Sequence, residues 1–384
     1  MITFAGMKKF NFDSNIRVGI LGGGQLGRML FVPALELDIE LHFLDPNPNS
    51  PCLRFCKNQM VGDFNDYQTV LDFGKDKDII SVEIEHVNTG ALFELEKQGK
   101  AIYPQPEILE IIKDKGKQKT WYQENAIPTS DFYLVDSQKE IKAEFPYVQK
   151  LRTGGYDGKG VQVIQSINDI GSHFDAPSVI EEKVDFVMEL AVLVARNEQG
   201  EVKSYPVVGM DFDHEANLVS YLYSPANVEE VIANKARALA EDLISKLGMI
   251  GLLAVEIFLT KDGDLLVNEV APRPHNSGHH TIEGNITSQY EQHLRSICNL
   301  PLGDTDMTSP AVMVNLLGAK DQSGPVIYSG LEEFLQLSGV HFHIYGKLET
   351  KPFRKMGHVT VLNDDIDKAI ATAKLVKEKV LIGS

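Results

Sequence analysis

The hydrophobic pattern begins as strand–turn–helix units. Residues 16–21 form a short apolar run that leads into Gly22-Gly23-Gly24-Gln25-Leu26-Gly27. A second apolar run, residues 40–44, ends at Asp45, and the proline-rich stretch 46–51 after it reads as a loop. Residues 79–85 predict another strand and residues 91–99 a short helix. Strands alternating with helices imply a parallel, doubly wound α/β sheet. The middle of the chain changes character. Residues 109–123 read as one Lys-rich helix ending before Pro128, and residues 147–151 and 161–164 as two strands flanking a glycine-rich hairpin. Further on, Val228, Val231, Ile232, Leu239, Leu243 and Leu247 recur on one helical face. Asn227 with Glu230 resembles a capping box, and Gly248 a C-terminal stop. Residues 252–259 and 265–270 predict two strands around Asp262-Gly263, a preferred two-residue hairpin turn. The tail adds strands near 312–316 and 341–345 and a helix near 366–380.

Composition narrows the class. The 384 residues, 43% hydrophobic and 24% charged, suit two or three packed globular units. A formal net charge of −17 argues against a nucleic-acid or anionic-membrane surface, yet leaves room for a small anion held by a few local cations. Residues 1–15 are mixed and polar, and no stretch approaches the roughly 18 apolar residues of a membrane helix. Cys52, Cys56 and Cys298 lack partners at zinc-site spacing, so the expectation is a cytoplasmic chain with reduced thiols.

The hairpin carries the first candidate chemistry. With Asp262-Gly263 as a two-residue turn, Lys261 faces Asp264, and pairing outward places Glu256 opposite Glu269. Directly opposed side chains share a face with Cβ atoms about 5 Å apart. Two carboxylates there call for a compensating cation, and magnesium fits because it takes carboxylate oxygens and leaves positions for phosphate oxygens. Asn268 and Glu269 lead into Ala271-Pro272-Arg273-Pro274-His275-Asn276-Ser277-Gly278, a proline-fixed loop dense in donors.

Two glycine loops offer phosphate sites. Gly22-x-Gly24-x-x-Gly27, with Asp45 about 20 residues on, meets the dinucleotide fingerprint and by itself argues for NAD. Any ligand phosphate can use such a turn, and Gln25 and Arg28 suggest contacts to something smaller. The loop from Gly154 to Gly160 lies between two strands instead, where a hairpin can fold over a triphosphate and expel water. Lys150 and Lys115 flank it. With the carboxylate pair they form a nucleotide-and-magnesium set.

These motifs together resemble the ATP-grasp superfamily, and within it the purine-pathway enzymes that carboxylate aminoimidazole ribonucleotide. The resemblance rests on the glycine turn at 22–29, Glu83-Ile84-Glu85-His86-Val87, residues 152–160, residues 268–280, and Tyr345-Gly346-Lys347 with Arg354-Lys355-Met356-Gly357-His358. It implies an α/β ATP-grasp fold, α+β in its central and C-terminal parts. The implied units are a Rossmann-like domain at 1–110, a lid at 111–182, a catalytic domain at 183–310 and a β-rich tail at 311–384. The implied reaction joins aminoimidazole ribonucleotide to bicarbonate at the expense of ATP, through carboxyphosphate, with magnesium. A homodimer and a functional link to the mutase that takes the product are also implied.

Residue by residue, the resemblance gives Lys115 and Lys150 to the ATP phosphates, with Gly155, Tyr156, Asp157, Gly158, Lys159, Gly160 and Val161 closing over them. It gives Glu181, Glu182, Lys183 and Val184 to the adenine and Glu189 to the ribose. Glu256 and Glu269 take magnesium, with Asn268 beside them. Tyr156, Asp157, Lys159, Arg273 and His275 surround the imidazole and the bicarbonate-derived carboxylate. Gln25, Lys347 and Arg354 contact the substrate phosphate, and Glu83 or Glu85 its ribose. One segment departs from the family pattern: between Tyr205 and His214 the family's histidine is shifted, with Asp213 near the expected place.

Overall fold

The computed structural model describes residues 15–142, 144–155, 160–213 and 218–384. The N-terminal sheet is parallel, with β1 (Arg17–Leu21), β2 (Glu40–Asp45), β3 (Gln59–Val61), β4 (Ile79–Val82) and β5 (Ala101–Ile102) in the order β3-β2-β1-β4-β5. Its central strands are apolar on both sides for a reason. Val18 and Ile20 enter one cluster with Leu26, Leu30 and Phe43, while Leu21, Ile80 and Val82 enter another with Phe73, Leu92 and Leu95. Both faces are covered, so neither needs polar residues. The strand order reverses between β1 and β4, which opens a crevice at their C-terminal ends.

A small antiparallel sheet follows, formed by β6 (Phe132–Val135), β7 (Tyr147–Leu151), β8 (Val161–Ile164) and β9 (Ser178–Glu182) in the order β6-β9-β7-β8. The large sheet has nine strands. These are β10 (Phe186–Arg196), β11 (Val202–Ser204), β12 (Val208–Asp213), β13 (Leu218–Ser224), β14 (Gly251–Thr260), β15 (Leu265–Ala271), β16 (Ala311–Leu317), β17 (Val340–Ile344) and β18 (Lys355–Leu362). They run β15-β14-β10-β12-β13-β16-β18-β17, with β11 beside β10. The helix Glu230–Leu247 lays Ala236, Ala240, Leu243, Ile244 and Leu247 on Leu190, Val192, Leu253 and Val255. Each large side chain so buried contributes roughly 1.5–3 kcal/mol. No helix among the described residues is long and apolar enough to cross a membrane.

Four local expectations change. The stretch 109–123 is not one helix but two, Pro106–Ile112 and Lys115–Glu124. The break comes at Asp114, whose carboxylate caps the second helix by accepting from the backbone of Gly116 and Lys117. The helix Glu230–Leu247 starts without the Asn227–Glu230 capping box, since Glu229 is its N-cap and makes no side-chain cap bond. Gly248, in the left-handed region at φ 64°, does end it. The strand expected at 79–85 stops at Val82, leaving Glu83 and Glu85 in the connection that faces the crevice.

The fourth change concerns the hairpin turn. Thr260 and Asp264 close the loop, so three residues lie between them, with Gly263 at φ 85°. That shifts the register by one, and Ile257 pairs with Val267. Asn268 then forms a bulge that restores the offset, so Glu256 faces Glu269 after all. A two-residue turn with no bulge gives the same pairing; the real strand reaches it by two irregularities that cancel.

Candidate active site

The three sheets meet around a cleft of about 630 Å3. Gln25, Glu83 and Glu85 line it from the crevice of the parallel sheet, Lys115, Arg152 and Gly155 from the helix and lid, and Glu256, Glu269, Arg273 and His275 from the large sheet and its loop. The helix break matters here. It puts Lys115 at the first helical position, with its N–H donating to the carbonyl of Arg152 at 2.8 Å. Arg152 in turn forms a two-pronged pair with Asp114, Nε at 3.0 Å and Nη2 at 2.7 Å. The root of the glycine-rich loop is thereby clamped to the helix that carries Lys115.

The acidic pair forms the floor. Lys115 Nζ makes an ion pair with Glu269 Oε2. Lys115 titrates above the usual range: burial opposes this, but Glu269, Glu181 and Glu256 outweigh it. The Lys115 charge holds the Glu269 carboxyl well below the usual carboxylate range. Glu256 goes the other way, pushed up to about 8 by burial and then by the charges of Glu269 and Glu189. Two opposed carboxylates suit a divalent cation, which takes carboxylate oxygens and keeps other positions open for a ligand's oxygens. Among the described residues no cluster of three or more His, Cys, Asp or Glu side chains could hold a metal alone. The bulge brings a neighbour to the same side: Asn268 Oδ1 accepts from Lys150 Nζ at 2.7 Å.

His275 is fixed by its own loop. Its backbone N–H donates to Gln289 Oε1, and Ser277 N–H points at Nδ1 at 3.4 Å. Nδ1 also lies 2.9 Å from Ser277 Oγ. The loop thus holds the ring with Nε2 toward the acidic pair, 3.7 Å from Glu256 Oε1. Arg273 Nε meets Glu85 Oε1 at 2.8 Å, joining the donor loop to the parallel sheet across the cleft.

Glu83 and Glu85 have different surroundings. Glu83 is turned into the glycine turn, where it accepts from Gly24 N–H at 2.5 Å and from Leu26 N–H at 3.0 Å. A Cβ on Gly22 or Gly24 would strike it within 3 Å. Asp45 likewise accepts from the backbone of Gly23 and Asn47. The donors and the acid of the dinucleotide fingerprint are therefore consumed inside the protein, and the NAD reading loses its support.

Other expected residues lie beside the cleft instead of on its wall. Lys150 and Glu181 are buried below the lid sheet, and Glu189 stands on β10 opposite Phe258 and Met210. Burial pushes the Glu189 carboxyl up to about 7. Gly160 O accepts from Leu151 N–H, and Val161 pairs with Lys150 on β7. Glu182 and Lys183 border a separate recess with Asp131, Tyr133 and Phe145, and Val184 follows them. Lys347 donates to the carbonyl of Lys355 at 2.6 Å and Arg354 to that of Glu349 at 2.7 Å; neither lines the cleft. Tyr156, Asp157, Gly158, Lys159 and His214 fall outside the described residues, as does the side chain of Asp213.

Sequence reasoning missed Lys355 and His279, which do line the cleft, and Lys119, which is buried beneath it. Lys355 carried a signal, since it opens a strand beside Arg354. A lysine in a Lys-rich helix, such as Lys119, carries none.

A glycine-rich loop rooted beside a paired-acid hairpin, set against a parallel sheet, matches the architecture of the ATP-grasp enzymes. Family models agree: the ATP-grasp domain matches residues 120–290, the ribonucleotide synthetase preATP-grasp domain 16–113, and the phosphoribosylaminoimidazole carboxylase C-terminal domain 311–372. The N5-carboxyaminoimidazole ribonucleotide synthase of Bacillus subtilis is 38% identical over 363 residues, 92% of this chain and 93% of its own. The chloroplastic phosphoribosylaminoimidazole carboxylase of Vigna aconitifolia is also 38% identical, across 94% of this chain, which spans only 66% of that longer protein. The synthetase structure from Thermotoga maritima superposes with a TM-score of 0.89 at 42% identity, covering 96% of this chain and 99% of its own. The Aspergillus clavatus structure, solved with ADP and 5-aminoimidazole ribonucleotide, gives 0.85 at 32% identity, covering 95% and 99%. The chain belongs to the N5-carboxyaminoimidazole ribonucleotide synthase family.

Proposed function

We propose that the protein carboxylates 5-aminoimidazole ribonucleotide with bicarbonate, splitting ATP to ADP and phosphate, in purine synthesis. The observation that carries this is the juxtaposition in one cleft of the Glu256–Glu269 pair, Lys115, and the Arg273–Glu85 bridge to the parallel sheet. ATP would lie between the lid and the large sheet, with Lys115 and Lys150 on its phosphates, Gly155 to Val161 above them, residues 181–184 at the base and Glu189 at the ribose.

Glu256 and Glu269 would hold magnesium, which when bound neutralises phosphate charge and polarises the transferred phosphoryl group. The remaining work falls to the chain. Bicarbonate is a poor electrophile, so its activation to carboxyphosphate concentrates negative charge near Lys115 and Lys150, whose ammonium groups stabilise that charge as it develops. Arg273 retains the carboxylate and is itself held in place by Glu85. Asp157 or His275 would take the amine proton. Enclosure by the glycine loop keeps water from the labile intermediate. Gln25 on the cleft wall would supply a donor for the substrate phosphate, the role that the resemblance also gives to Lys347 and Arg354. A homodimer, a cytoplasmic setting and hand-over of the product to a mutase are consistent with this reading.

Oxygen-18 bicarbonate tests the activation step. Transfer of one labelled oxygen into inorganic phosphate is expected, whereas turnover with unlabelled phosphate would refute carboxyphosphate formation.

A further inference from the structure

Lys119 lies one turn beyond Lys115 on the same helix, yet only 2% of its side chain is exposed and it does not reach the cleft. Its ammonium donates to Thr129 Oγ1 at 2.6 Å and to Ser130 Oγ at 2.8 Å, and it pairs with Glu181 Oε2 at 3.2 Å. The other oxygen of Glu181 meets Lys150 Nζ at 3.1 Å. Lys150 continues the chain to Asn268 Oδ1, the bulge residue next to Glu269. Thr129 Oγ1 donates onward to the carbonyl of Val267, just before that bulge. Helix, lid strands and acidic hairpin are thus tied through one buried polar network.

The charges in this network do not cancel. Two ammonium groups face one carboxylate that is 3% exposed. With Lys119 removed, Glu181 and Lys150 would form a neutral buried pair, and attraction at low dielectric would draw Lys150 onto Glu181. We propose that Lys119 is a positioning residue for nucleotide binding: it neutralises Glu181, so that the charge of Lys150 stays directed at Asn268 and the phosphate side of the cleft. This rests on the reading that ATP is the nucleotide and Lys150 one of its phosphate ligands. Burial pulls the Lys119 ammonium down to about 8, and the charge of Glu181 works against that fall.

The test is a charge-balance cycle of Lys119→Met, Glu181→Gln and the double variant, with the full chain assayed for ADP release. Wild-type turnover that depends on aminoimidazole ribonucleotide and bicarbonate is the control, and its absence would refute the proposed function instead. Given that control, Lys119→Met is expected to raise the KM for ATP tenfold or more while the KM for aminoimidazole ribonucleotide stays within about threefold. Adding Glu181→Gln, which removes the charge Lys119 balances, is expected to recover at least fivefold of the loss in kcat/KM for ATP. The same criterion holds if Lys119→Met does not fold, because a folded, ATP-competent double variant is then the rescue. Unchanged kinetics in Lys119→Met, equal rises in both KM values, or a double variant no better than the single would overturn the inference.

Discussion

Replacing Glu269 by Gln separates the roles of the acidic pair most cleanly, because it removes a charge and keeps the shape. Glu269 leaves 42% of its side-chain surface open to the cleft, so its pair with Lys115 is screened. Such pairs are worth about 1 kcal/mol or less, against about 3–5 kcal/mol for breaking an enclosed one. Removing the Glu269 charge also relieves its repulsion of Glu256, which offsets part of the lost pair. The net stability change should therefore stay within about 1 kcal/mol, a melting shift of no more than about 4 °C. Catalysis has no such margin: losing one of the two proposed anionic metal ligands should lower turnover at least 10²–10³-fold, the scale seen when a single transition-state-stabilising group is deleted. The assay is ADP release across a magnesium titration, with manganese binding followed by electron paramagnetic resonance as a readout independent of turnover. Turnover within threefold of wild type with an unchanged metal midpoint would remove Glu269 from the metal site. Loss of the folded state would refute the screening argument.

Two further predictions concern the other acids. Glu83→Ala leaves the buried N–H groups of Gly24 and Leu26 without their acceptor, which costs roughly 1–3 kcal/mol for each group; a melting temperature equal to wild type would show that Glu83 does not brace the turn. Glu189 is held protonated in the folded chain up to about pH 7, above its unfolded value, so its contribution to stability falls as pH rises between roughly 4.5 and 7. Glu189→Gln should therefore raise the melting temperature of the ligand-free protein more at pH 8 than at pH 5, and an equal change at both would contradict the assignment.

How much of this could be read from the sequence follows from how local each signal is. The parallel sheet was legible because β1, β2 and β4 are short apolar runs punctuated by turns, and both of their faces are buried. The Glu256–Glu269 pair was legible because strand pairing is arithmetic, although the arithmetic survived only because the three-residue loop and the Asn268 bulge compensate. The helix break at Asp114 did have a local signal, the aspartate that caps Lys115–Glu124; what was not legible is its pair with Arg152, 38 residues away, which ties that cap to the root of the glycine-rich loop. Nor was the burial of Lys119, which depends on Glu181 arriving from the distant strand β9. The bonds from the turn at residues 22–27 to Glu83 were not legible, because nothing in the Glu83 segment shows that the turn will fold onto it. Side chains whose role is set by residues distant in sequence look, in isolation, like ordinary surface charges.

The central claim is a ligase that couples ATP cleavage to two other substrates in one cleft. Phosphate release by the purified protein, measured with ATP and magnesium, is the most direct test. Full rate is expected only when bicarbonate and aminoimidazole ribonucleotide are both present; no stimulation by either, in protein that binds ATP, would contradict the account.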